Sequence, residues 1–99
     1  MLVVHVHVQV KPECVEAFKQ ASIANALASR KEPGIAGFDV HQQQDDPARF
    51  VLVEAYRTPE ASAAHKEAAH YQAWRDTVAP MMAQLRSSTK FIDIFPDAL

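Results

Sequence analysis

The sequence predicts an α+β domain, a ferredoxin-like β-α-β-β-α-α-β sandwich. Three observations carry this. "LVVHVHVQV" alternates strictly between apolar and polar from Val4 to Val10, the period of a strand. Residues 13–31 hold no glycine and many alanines, which favours a helix. Two further runs, "IAGFDVHQQ" and "FVLVEAY", are rich in β-formers and are separated by the turn chemistry of "QDDPAR".

The elements follow in order. After the first strand, Pro12 suits the first turn of the helix, where its missing N–H costs nothing. "KEPGIAG" ends that helix, with Pro33 and Gly34 as breakers. The two strand runs come next. Thr58-Pro59-Glu60 then reads as a helix start: an N-cap hydroxyl, proline at the first helical position and an acid in the first turn. On one continuous helix His65 and His70 would sit roughly 140° apart. Either they act separately or the helix breaks between Glu67 and Ala69. From His70 an apolar stripe runs through Tyr71, Trp74, Val78, Met81 and Leu85 at helical spacing. Pro80 should kink or split that helix. "TKFIDIF", Thr89 to Phe95, reads as the fourth strand.

Ninety-nine residues make a single domain, 1–99, and a chain this short often gains burial by pairing with a copy of itself. With 48% apolar and 22% charged residues, disorder is not expected. A net charge of −2 without a basic stripe speaks against nucleic acid. No stretch is apolar enough to span a bilayer, and no basic start precedes an apolar run, so neither membrane span nor signal peptide is expected. The lone Cys14 allows no internal disulfide and no cysteine-based zinc cluster, which suits a reducing cytoplasm. The only glycines are Gly34 and Gly37, so there is no phosphate-cradling loop. GxSxG is absent, and nothing suggests NAD, flavin or nucleotide as cofactor.

Candidate site residues come from three places. On a helical wheel of 13–31, Cys14, Val15, Ala17, Phe18, Ala21 and Ala28 gather on one side, with Ser22, Asn25 and Ser29 in its middle. Buried polar groups need partners. Either these three line a pocket between helix and sheet, or they bond backbone near the helix end. Ile23 and Leu27 on the opposite face are stray surface residues or touch a second subunit. The third strand places Phe50, Leu52, Glu54 and Tyr56 on one face and Val51, Val53 and Ala55 on the other. Both faces read as buried, one by helices and the other by a second copy of the sheet. Glu54 then needs a partner, and a histidine of the following helix would serve, either for proton transfer or as a buried structural bond. Two histidines and a glutamate have metal-ligating chemistry, but "HKEAAH" matches no ligand motif and no metal is expected. His5, His7 and Gln9 share a strand face that reads as a wet surface or a dimer seam.

"LVVHVHVQVKPE", "EPGIAGFDV", "FVLVEAYRTPEA" and above all "AHKEAAHYQAW" resemble the antibiotic biosynthesis monooxygenase (ABM) domain family over nearly the whole chain. The chain is similar to small members that include quinol monooxygenases and the isomerase of phosphorylated autoinducer-2, with "FDVHQ", "EAY", "AHK" and "HY" nearest the isomerase branch. The resemblance implies a ferredoxin-like fold dimerised through its sheets into an α/β barrel. It also implies a pocket between sheet and helices, and chemistry without metal, flavin or haem. It carries roles onto Glu54, His65 and His70, and onto Asn25 and Ser29. Ala26 stands where isomerase-like members carry a histidine, which tells against the isomerase. Haem-degrading relatives use a histidine further along the last helix, near Arg75 here, which tells against haem.

The expected function is a cofactor-free monooxygenase of a phenol or quinol. Phe18, Phe38, Tyr71 and Trp74 would line its dry pocket, Glu54 or a histidine would deprotonate the substrate, and Asn25 and Ser29 would orient its oxygens. One alternative is an isomerase that shifts a carbonyl in a small phosphorylated dione, for which Lys66, Arg75 and Lys90 are the available phosphate partners. The other is a dimeric ligand-binding module without chemistry.

Overall fold

The computed structural model describes residues 1–95. The last four residues of the expected 1–99 domain lie outside this range. Strand β1 (Leu2–Gln9) leads through a 3₁₀ turn at Pro12–Cys14 into helix α1 (Val15–Ser29). Strands β2 (Ile35–Gln42) and β3 (Arg49–Tyr56) form the central hairpin. Helices α2 (Pro59–Glu67) and α3 (Ala69–Val78) follow, then a 3₁₀ turn at Ala79–Met81 and strand β4 (Ser87–Ile92). The sheet order is β2-β3-β1-β4 with every pairing antiparallel, which is the ferredoxin-like arrangement. No helix among the described residues is long and apolar enough to cross a membrane.

The helices cover one face of the sheet. The core between them holds Val4, Val8, Phe18, Phe38, Phe50, Leu52, Tyr56, Trp74 and Val78, all buried. Directly opposed residues of antiparallel strands share a face. The register therefore lays Phe38, Glu54, Val4 and Lys90 in one row across the helix side of the sheet. Val51, Val53 and Ala55, on the other side of β3, are half-buried in the single chain; this is the face for which the sequence expects a second copy of the sheet.

Three element boundaries depart from the sequence expectation. The apolar stripe stops at Met81, because Pro80 ends α3 in a 3₁₀ turn. Leu85 lies beyond it and is 94% exposed. Strand β4 starts two residues earlier and ends at Ile92 rather than Phe95. Its last partner is Leu2, the first residue of β1, so among the described residues 93–95 have no strand of β1 beside them. The first helix begins as a 3₁₀ turn and ends at Ser29, after which three successive backbone bonds wind the chain tightly: Lys31 N–H to Ala28, Glu32 N–H to Ser29 and Ile35 N–H to Glu32.

Candidate active site

The turn after α1 presents Glu32, and α2 packs directly against it. A methyl group placed on Gly34 would stand 2.5 Å from the Cβ of Ala61, so only glycine permits this approach. Helix α2 starts as its sequence demands, with Pro59 at the first helical position and Thr58 Oγ1 accepting the Ala61 N–H at 3.2 Å. It ends at Ala68, which is extended (φ −70°, ψ 142°) and restarts the chain as α3. This break undoes the 140° separation of a continuous helix. The rings of His65 and His70 come to 5.7 Å of each other, and both face Glu32. His65 Nδ1 lies 2.8 Å and His70 Nε2 2.6 Å from the same oxygen, Glu32 Oε2.

The partner expected for Glu54 is thereby corrected. Its carboxylate accepts from the Tyr56 hydroxyl at 2.5 Å, while both histidines turn to Glu32. Glu54 is 8% exposed. Burial pushes its pKa above the ordinary value of 4.5, against the opposing pull of the Tyr56 hydrogen bond and of His65, Lys66 and Arg86. Burial and the neighbouring Glu54 likewise raise the Tyr56 phenol, so it stays a proton donor.

A cavity of about 220 Å³ opens between the sheet, the two C-terminal helices and the segment entering β4. Drug-sized sites run to roughly 300–1,000 Å³, so this one suits a smaller molecule. Its wall combines Glu54, Tyr56, His65 and Tyr71 with three cations, Lys66, Arg86 and Lys90. The Arg86 guanidinium stands over the Trp74 ring, 5.2 Å from its centroid, so the apolar wall helps hold the charge.

Of the residues singled out from the sequence, Glu54, His65, Tyr71 and Trp74 meet at this cavity. The expected wall formed by α1 is corrected. Phe18 and Phe38 are core side chains with no exposure. Ser22 accepts the Trp74 indole N–H at 2.9 Å, and Ser29 donates to Asn25 Oδ1 at 3.2 Å. The polar stripe of α1 thus satisfies itself and α3 inside the core. Asn25, with His70 and Trp74, reaches a shallow groove between α1 and α3 instead. Arg75 pairs with its neighbour Asp76 at 2.9 Å and lies off the cavity.

Glu32, Tyr56 and Arg86 were missed. Tyr56 was within reach: it stands two residues after Glu54, on the same strand face. Glu32 appeared in the sequence only as part of a helix-ending turn, and Arg86 fell between the apolar stripe that ends at Leu85 and the strand expected from Thr89, in a span given no element.

Glu32, His65 and His70 present three ligand atoms within 4.8 Å of one another, a donor set suited to a divalent transition metal. Both nitrogen–oxygen gaps are hydrogen-bond lengths. Ligands about 2.0 Å from a tetrahedral zinc ion stand roughly 3.3 Å apart, so protons fit these gaps better than an ion does.

Comparison with known proteins adds to this geometry. Isomerases of (4S)-4-hydroxy-5-phosphonooxypentane-2,3-dione from Klebsiella pneumoniae and Yersinia enterocolitica are each 38% identical to the chain over 96 residues. The match covers 97% of this chain in both cases, and 98% and 100% of those proteins. A solved structure of a candidate antibiotic biosynthesis monooxygenase from Nitrosomonas europaea is 48% identical and superposes with a TM-score of 0.94, covering 96% of this chain and 100% of that one. A Mycobacterium tuberculosis protein, 22% identical over 98% of both chains, shares the fold with a TM-score of 0.90. The expected quinol-type monooxygenase is overturned by the curated relatives, which are named for an isomerisation. Ala26, which had told against that activity, is a buried core residue off the cavity wall. The model of the family described as antibiotic biosynthesis monooxygenase matches residues 1–77, and with these full-length relatives it shows that the chain belongs to that family.

Proposed function

We propose that the protein isomerises a short phosphorylated hydroxy-dione, moving a carbonyl along the carbon chain. The observation that carries this is the cavity wall: three cations, Lys66, Arg86 and Lys90, stand around a space that also holds Glu54, Tyr56 and His65. Cations suit a phosphate, and the remaining groups suit proton transfer. The curated relatives act, by name, on a five-carbon phosphorylated dione with a hydroxyl next to a carbonyl. On such a substrate a base removes the proton from the carbinol carbon. The bonding pair forms a carbon–carbon double bond, and the adjacent carbonyl oxygen takes a proton, giving an enediol. The carbinol hydroxyl then yields its proton and becomes the new carbonyl, while the former carbonyl carbon accepts a proton. Atoms and electrons balance without oxidant or reductant. Tyr56 and Glu54, joined by a hydrogen bond, supply and receive the oxygen-bound protons.

The test is incubation of the purified protein with (4S)-4-hydroxy-5-phosphonooxypentane-2,3-dione in D2O, followed by NMR. An isomer carrying one deuterium on carbon, formed faster than in buffer, is expected. Conversion at the buffer rate would overturn the proposal.

We also propose that two chains pair through the sheet face that the helices leave open. Phe91 of β4 lies on that face with Val3 and His5, is 45% exposed on this single chain, and the His5 ring packs on it at 4.6 Å. A second sheet would cover them.

A further inference from the structure

We infer that Glu32 sets the tautomer of His65 and thereby makes its Nε2 the proton acceptor of the site. An ionised carboxylate only accepts hydrogen bonds, so both nitrogens that face Glu32 Oε2 carry protons: His65 Nδ1 at 2.8 Å and His70 Nε2 at 2.6 Å. In a neutral imidazole the other nitrogen is then a bare lone pair. For His65 that atom is Nε2, which is buried and has no hydrogen-bond partner among the described residues, in a residue only 2% exposed. A protonated Nε2 there would be an unsatisfied buried donor on a charged ring, which is costly. The lone pair is the cheaper state, and it belongs to a residue of the cavity wall.

Glu32 is itself held in place. Its backbone is wound into the tight turn after α1, and His70 grips the same carboxylate oxygen from the far side of the Ala68 break. Glu32 is therefore a positioning residue, and His70 positions Glu32. When His65 Nε2 takes the carbon-bound proton, the ring becomes an imidazolium beside the Glu32 carboxylate, which stabilises that charge until the ring has exchanged its proton with solvent and delivers one to the neighbouring carbon. The use of the lone pair on a substrate rests on the isomerase proposed above; the tautomer does not.

The experiment is a long-range proton–nitrogen correlation spectrum of ¹⁵N-labelled protein near neutral pH. His65 is expected with Nδ1 protonated and Nε2 bare. Glu32→Ala removes the acceptor and should lose that tautomer as the dominant form. In the isomerase assay it should lower kcat by about 10²-fold with KM nearly unchanged. Glu32→Gln keeps one acceptor oxygen and should restore the tautomer, but without the carboxylate charge beside the imidazolium it should recover only part of the lost kcat. A wild-type His65 with Nε2 protonated would overturn the inference even if no variant folds. So would a Glu32→Ala protein with an unchanged tautomer. If the dione is not turned over, the spectrum still decides the tautomer, so the two proposals fail separately.

Discussion

Tyr56 and Glu54 stand two residues apart on one face of β3, and the phenol donates to the carboxylate across 2.5 Å. Strand periodicity puts both side chains under the helices, where a carboxylate without a donor would be poorly solvated. Tyr56→Phe removes that donor and keeps the ring. It should cost about 1.5–3 kcal/mol of stability, the range for a hydrogen bond to a charged group. Urea unfolding near pH 8 reads this. A loss below about 0.5 kcal/mol, the scatter of surface substitutions, would mean that the bond adds nothing net.

Burial raises the folded-state pKa of Glu54 above the 4.5 it has in an unfolded chain. The folded state therefore holds that proton more tightly. The stability this contributes is full below pH 4.5 and is lost as pH rises through the raised folded value. Glu54→Gln cannot ionise and escapes the loss. Its Tm relative to wild type should climb between pH 4.5 and 8. A difference that stays flat over that range would show that ionising Glu54 carries no burial penalty.

Gly34 lets α2 lie against the turn that holds Glu32. Gly34→Ala would force a methyl group to 2.5 Å from the Ala61 Cβ, where backbone has to move. Overpacking of this kind costs about 1–3 kcal/mol. Gly37→Ala is the control, since its added methyl meets the Ala55 Cβ at an ordinary 3.9 Å. Thermal unfolding should separate the two variants, and equal Tm values would contradict the close-approach role of Gly34.

Arg86 has the strongest structural claim among the three cavity cations, because Trp74 holds its guanidinium in place. Arg86→Ala should raise KM for the phosphorylated dione roughly tenfold or more, as expected from losing about 1.5–3 kcal/mol of charge-assisted bonding. It should also weaken competition by inorganic phosphate in parallel. A fall in kcat at constant KM would instead place Arg86 at the reacting carbons.

The open sheet face gives the last expectation. Light scattering at micromolar concentration should report a mass near twice the 11.0 kDa of the chain, and Phe91→Glu should reduce it. A monomeric wild-type protein would remove the proposed pairing.

The strands, the first helix and the Thr58-Pro59 helix start were legible in the sequence by itself, because each rests on local chemistry: period-two alternation, alanine propensity and capping. The same local rules located Glu54, His65, Tyr71 and Trp74 as candidates. They could not say which groups meet. The break at Ala68 was one of two alternatives the histidine spacing left open, with no glycine or proline to decide it; it turns two histidines that a continuous helix would separate onto one oxygen of Glu32. Ser22, Asn25 and Ser29 looked like a pocket wall because a wheel shows polarity on a face without showing what packs against it. Trp74, 52 residues along the chain from Ser22, supplies that answer. Sequence by itself determined the elements and several of the side chains that meet at the cavity, while its expectation of an oxidation gave way to the isomerases among the relatives. Only the tertiary structure decided the partners, since a hydrogen bond or an ion pair depends on distances between segments far apart in the chain, which local patterning does not encode.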